Sequence, residues 1–239
     1  MLISDATMRA LDRIATREED LMQAFTPGAI AQERDVVRSQ RLLPAMDPLS
    51  VCAPAESYFV VAGSHGGSLF TRDGTFALRD GALVDSSGNP LLGYAAHAAP
   101  LAPLRADSAD VALGFVKTAR VQTDGSVTYE RPSIDPRTGQ REVQRVSIGQ
   151  LALARFAAGT NLREVDAQHA AAPDGIAPHL GRAGDGNFEA VIPFARASSG
   201  VDIDLGLQRL QEAYMALDAI RAAGKAQGGI QKTAMDLLK

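Results

Sequence analysis

Apolar positions along the chain change period twice, and the changes divide it into three parts. Between Asp5 and Phe25, Leu11, Ile14, Leu21 and Phe25 recur at spacings of three, seven and four, with Arg9, Asp12, Arg13, Arg17, Glu19 and Asp20 largely off that stripe. Such spacing gathers apolar side chains on one face of a helix. Thr26-Pro27-Gly28 ends it, because proline has no N–H to donate and glycine opens a turn. Ala29 to Leu43, rich in Ala, Glu and Arg, suits a second short helix or an ordered arm, and Pro44, Pro48 and Pro54 punctuate a linker.

From Tyr58 the period falls to that of strands. Tyr58 to Ala62 is an apolar run of strand length, followed by Ser68 to Arg72, by Thr75 to Arg79 and by Ala82 to Val84. Asp73-Gly74 and Asp80-Gly81 sit between these runs, and Asp-Gly is the pair that a two-residue type I′ hairpin turn favours. A second β series is predicted from Phe115 to Thr123, Ser126 to Glu130, Val143 to Ile148, Gln150 to Phe156 and Asn187 to Ile192. The stretch 95–111 shows no period and reads as a long connection with room for one irregular strand, and 163–186 reads as loop. After Ser198 the helical period returns. Ile203, Leu207, Leu210, Tyr214 and Leu217 follow heptad spacing, the mark of a helix that packs along another helix. The stripe then shifts phase through Ile220 to Ile230 and Leu237, across Gly224, Gly228 and Gly229, each of which weakens a helix by about 1 kcal/mol relative to alanine.

The expected fold is therefore mainly β with α-helical termini. It comprises a helical segment 1–43, a linker 44–57, a central antiparallel β domain of sandwich or barrel type over 58–196, and a helical segment 197–239. A β centre has no evident need of two flanking amphipathic helices. Their apolar stripes point instead to a separate coiled-coil-like layer, formed between the chain's own ends or between copies.

Composition narrows the function more than the fold. The net charge of −4 argues against a nucleic-acid binder, which needs a basic face. Cys52 is the one cysteine, so no disulfide can form within the chain. No apolar run reaches the ~18 residues of a membrane span, and charges stand where a signal peptide needs its apolar stretch, so neither membrane insertion nor a cleavable leader is expected. His65, His97, His169 and His179 are scattered and lack the spacing of metal ligands. The Asp-Gly pairs at 73, 80, 124, 174 and 185 lack the alternating acids of a calcium loop and read as turns. Asp202 and Asp204 suit the N-terminus of the last helix as caps better than they suit a carboxylate pair. No cofactor and no catalysis are expected.

One block carries a resemblance. Phe59-Val60-Val61, then Phe70-Thr71-Arg72-Asp73-Gly74-Thr75-Phe76, then Gly81-Ala82-Leu83-Val84, then Gly88-Asn89-Pro90-Leu91-Leu92-Gly93 resembles the central motif of the flagellar basal-body rod and hook proteins. Its motif positions here are Phe59, Thr71, Arg72, Asp73, Gly74, Phe76, Gly81, Gly88, Pro90 and Gly93. The likeness continues through Val121 to Val127 and through Gly149 to Phe156 with Gly159 to Leu162, and Ser198 to Asp202 stands where that family enters its last helix. The family's Asn-rich signature at the end of the first helix is reduced here to Thr26-Pro27-Gly28. The resemblance implies a structural axial subunit, closest to the rod subunits, with copies of itself, other axial proteins and the flagellar export apparatus as partners. It implies a place in the basal body, reached by export without a cleavable signal peptide. Its assembly residues would be Leu11, Ile14, Leu21, Phe25, Ile203, Leu207, Leu210, Tyr214, Leu217, Ile220, Ile230 and Leu237. Residue patterns without the resemblance leave a second reading open, a monomeric all-β ligand- or carbohydrate-binding module whose loops around the four histidines form a site.

Overall fold

A computed structural model of the chain describes residues 2–25, 42–63, 66–95, 100–135, 137, 139–199 and 203–237; for residues 2–4, for Phe25 and for the helix beyond Ala226 it describes only the backbone course. The second helix or arm expected over 29–43 falls almost wholly outside those residues, as do His65, His97 and Asp202. The chain is mainly β, with a helix in each end region, and divides into two units.

The first unit is helical. Helix α1 runs over Leu2–Met22 and continues into a tight 3-10 turn, Gln23–Phe25. The last helix, Ile203–Leu237, passes through Gly224, Gly228 and Gly229 without a break. It is called α3, because the β unit contributes the short helix α2 (Ser108–Ala112).

The β unit opens with β1 (Leu42–Pro44), β2 (Val51–Cys52), β3 (Ser57–Ala62) and β4 (Ser68–Thr71). It continues through β5 (Ala77–Arg79), β6 (Ala82–Val84), β7 (Leu92–Tyr94) and β8 (Ala102–Pro103). After α2 come β9 (Arg120–Val121), β10 (Ser126–Ile134) and β11 (Arg141–Arg155). Then follow β12 (Arg163–Glu164), β13 (His169–Ala171), β14 (His179–Arg182), β15 (Ile192–Pro193) and β16 (Ala195–Ala197).

Strand β11 is the spine. Its first half pairs antiparallel with β10, its second half with β3 and β14, and its middle touches β7. The main path of the sheet runs β12-β13-β4-β3-β11-β10-β9. Alternation along these strands sorts side chains onto two faces. Phe59, Val61, Leu151 and Leu153 face the larger core with Phe76, Leu83, Leu91, Leu104, Val127 and Tyr129. Val60, Ala152 and Ala154 point the other way, with Phe70, into a smaller cluster. The register between β10 and β11 slips between Val127 and Thr128, a bulge that places Gly149 opposite Val127.

Five readings of the sequence need correction, among them the strand expected over Asn187 to Ile192, of which only Ile192 is in a strand, at the start of β15. The stretch 44–57, read as a linker, carries the end of β1, all of β2 and the start of β3; β1 pairs with β16 and β2 with β15, and Leu49 to Ala53 are buried. Its prolines sit beside short edge strands, where a missing N–H costs no ladder bond. The connection 95–111 holds the short strand β8, in keeping with its one irregular strand, but also most of the unexpected helix α2, which Asp107 caps by accepting from the Ala109 N–H at 2.8 Å. Phe115 to Thr118 forms a 3-10 turn rather than a strand, so the strand there shrinks to β9. The stretch 163–186, read as loop, holds β12, β13 and β14.

Candidate functional site

Two features could carry function: the paired helices of the first unit, and the polar network beneath the motif block of the second.

Helices α1 and α3 run antiparallel. Ala24 packs against Ile203 near one end, and Ile14 packs with Ala10, Leu210, Ala213 and Leu217 farther along. Gly206, on α3 between Ile203 and Leu210, is buried as well. Arg17 donates to the Arg209 carbonyl, and the Tyr214 hydroxyl meets Glu18 Oε1 at 2.6 Å. The Glu18 contact holds the Tyr214 phenol above its ordinary ionisation range, as its hydrogen bond and charge favour the neutral hydroxyl.

Of the residues that the heptad spacing singled out, Ile203, Leu210 and Leu217, seven apart, lie against α1, and Ile220 and Leu21 are half-buried. Leu207 and Tyr214 are 53% and 45% exposed, and on α1 Leu11, Met8 and Met22 are exposed as well. The two heptad lines are thus separated: one is buried within the chain and the other lies open on its surface. On α1 the buried line is rotated from the expected one. Asp20, Gln23 and Ala24 are covered, whereas Leu11 is not. The side chains of Phe25, Ile230 and Leu237 lie outside the described residues.

The motif block serves the β fold. Phe59 and Phe76 meet edge to face, 5.0 Å between ring centres, in the larger core. Arg72 lies over the Tyr58 ring. Asp80 and Gly81 both take positive φ, 48° and 76°, the type I′ turn expected between β5 and β6. Asp73-Gly74 does not form such a turn. Gly74 is required for close approach, because a Cβ there would lie 1.6 Å from the Val51 carbonyl oxygen, whose own N–H bonds the Gly74 carbonyl at 2.9 Å. Gly93 likewise passes against the Gln150 carbonyl, Gly88 supplies positive φ (89°), and Pro90 bridges Val84 while its carbonyl accepts from Ala62.

Asp73 is buried and acts as a hub. Its backbone N–H bonds Thr71 Oγ1 (3.0 Å), one carboxylate oxygen accepts from Thr75 N, and the other accepts from Gln168 Nε2 (3.0 Å) and lies 2.9 Å from Ser86 Oγ. Beside it lies the feature that the sequence did not show. His169, at the start of β13, is buried between two carboxylates, with Nε2 2.7 Å from Asp85 Oδ2 and Nδ1 2.7 Å from Asp166 Oδ1. Asp85 also accepts from the backbone and side chain of Asn89. Burial alone would lower the His169 pKa, but hydrogen bonds and charge from Asp85 and Asp166 outweigh it, and the imidazolium is favoured. Burial would raise that of Asp85, yet His169 and Asn89 bring the net shift down. No hydroxyl or thiol nucleophile touches the pair, and no cluster of metal-binding side chains is found among the described residues. The arrangement is an ionic clamp between β13 and the turn after β6.

A second buried polar knot joins α2 to the spine hairpin. The Tyr129 hydroxyl bonds Asp110, which Arg131 also reaches at 3.2 Å; burial, then Asp110, push the phenol up to about 12. His179 stacks on Phe188 5.7 Å away, and Cys52 is a buried thiol whose pKa burial raises. Among the described residues no helix is long and apolar enough to cross a membrane. Comparison with protein-family models finds no match, and comparison with curated proteins finds none either.

Proposed function

We propose that the chain is a structural axial subunit of the bacterial flagellum, closest in kind to the rod subunits, without catalytic chemistry. Its α1–α3 pair would be one element of a coiled-coil-like layer completed by neighbouring copies and by other axial proteins. The single observation that carries the reading is the split heptad: Ile203, Leu210 and Leu217 are satisfied within the chain, while Leu207, Tyr214 and Leu11 remain on the surface. A heptad helix with only one covered seam is suited to a further helix, since apolar side chains at that spacing form a continuous ridge. Subunits joined head to tail by such unlike surfaces build an open stack, which can transmit torque. The motif block between Phe59 and Gly93 adds the resemblance, and export through the flagellar apparatus follows from that resemblance.

The exposed seam yields a direct test. A Leu207→Asp, Tyr214→Asp double variant gives up the exposed Tyr214–Glu18 hydrogen bond but should keep α1 and α3 paired, because Ile14, Leu210, Ala213 and Leu217 hold the apolar seam, and it should fail to restore swimming to a strain lacking the gene. Full restoration would refute the proposal, as would a deletion strain that swims normally.

A further inference from the structure

Away from the motif block, the β unit carries a depression of about 260 Å³ where the end of β7, the turn before β10, the middle of β11 and the end of β14 meet. The bulge in the spine hairpin shapes it. The register slip leaves Ile148 without a partner on β10, and Ser147 and Gly149 on either side of it line the opening. Gly149 is needed there, because its φ is 146° and a Cβ would lie 2.7 Å from the Tyr94 carbonyl oxygen.

Two opposite charges line this space without pairing. Arg182, half-buried on β14, lays its guanidinium over the Tyr94 ring, 4.4 Å from the ring centre, and its buried Nε has no hydrogen-bond partner among the described residues. The ring face holds the cation but spends none of its N–H donors. A buried polar nitrogen ordinarily finds an acceptor, so this one calls for a ligand. Asp124, exposed on the turn before β10, supplies the opposite charge. Its Oδ1 accepts from the backbone and hydroxyl of Ser126, at 2.9 and 2.6 Å, which fixes the carboxylate and leaves Oδ2 open. Gln150 donates its amide to the Asp124 carbonyl, and its Oε1 stays available as an acceptor.

We propose that this depression binds a small zwitterion of the amino-acid class. The ligand's carboxylate takes the Arg182 guanidinium, and its ammonium takes Asp124 Oδ2 and Gln150 Oε1. The pair of charges decides the class. A simple anion gains Arg182 but stands against Asp124, a simple cation meets the reverse, and a neutral polyol uses neither charge. The space is smaller than the roughly 300–1,000 Å³ of pockets that take drug-sized ligands, which suits a single amino acid. The site lies wholly in the β unit, so it stands whether or not the helical unit assembles.

Ligand-observed saturation-transfer NMR on the full chain tests it and tolerates assembly. The probes are glycine, β-alanine and γ-aminobutyrate, whose two charges lie progressively farther apart. At least one should show transfer that saturates in the millimolar range. Acetate, methylammonium and glucose, which lack one charge or both, should bind at least about tenfold more weakly, the worth of one charge-assisted hydrogen bond. Arg182→Gln and Asp124→Asn should each weaken the best probe by a similar factor, with thermal unfolding by circular dichroism confirming that the β unit is kept. Should either variant fail to fold, the probe series on the native chain decides alone. Acetate, methylammonium or glucose binding as tightly as the best zwitterion would overturn the ligand class. Saturable transfer from none of the three zwitterions, or equal binding to both folded variants, would overturn the site.

Discussion

At the scale of single residues, the His169 clamp makes the sharpest prediction. His169, with its pKa raised, contributes stability that is full below its ordinary value of 6.5 and is lost as pH rises through the raised folded value. Asp85, with its pKa lowered, contributes stability that is full above 3.8 and is lost as pH falls through its depressed value. Both contributions coexist between those limits, so thermal denaturation of the native chain should show its maximum there. His169→Ala leaves a buried carboxylate without its cation, a loss of about 3 kcal/mol, and should flatten the alkaline side of the profile. An unchanged profile would mean that the clamp carries no charge. Gly74→Ala tests the close approach to Val51. The added methyl has no room, and roughly 3 kcal/mol of destabilisation is expected in denaturant unfolding. The Asp-Gly pattern foretold the turn at Asp80-Gly81 but misassigned Gly74, because sequence cannot tell a glycine needed for φ from one needed for space. His169 escaped notice for a related reason: its partners Asp85 and Asp166 come from different elements, and only the fold brings them together.

At the scale of elements, helix periodicity was legible and helix facing only partly so. Heptad spacing identified α3 and placed Ile203, Leu210 and Leu217 correctly on one line, yet it could not say which of two adjacent lines the chain itself would cover. Alanines decide that: Ala10, Ala24 and Ala213 allow close contact, and they rank low in any hydrophobic count. The distinction separates two variants that look equivalent in sequence. Leu217→Asp puts a charge into the α1–α3 seam and should unpair the helices, seen as lost amide protection along α1, whereas Leu207→Asp should leave that protection intact. Strands were legible where they ran long, as in β3, β10 and β11, and mostly hidden where they were two to four residues long. Of the short ones, β1, β2 and β13 to β16 are fixed by partners distant in sequence, which no local pattern reports.

At the scale of the whole molecule, two kinds of unit meet different demands. The β unit pairs several of its buried polar groups internally, in the Asp73 hub, the His169 clamp and the Tyr129–Asp110 knot, and its large core is filled by aliphatic side chains and few aromatics, as the lack of tryptophan required. The helical unit leaves an apolar row on its surface, as a component that assembles would. The place proposed for this surface is the flagellar basal body, among neighbouring subunits. The measurement that meets it most directly is mass spectrometry of purified hook–basal bodies from cells that express the native chain or the Leu207→Asp, Tyr214→Asp variant at equal level. The native chain should be found in the particles and the variant in the soluble fraction alone. A native chain absent from the particles, or a variant incorporated equally well, would contradict it.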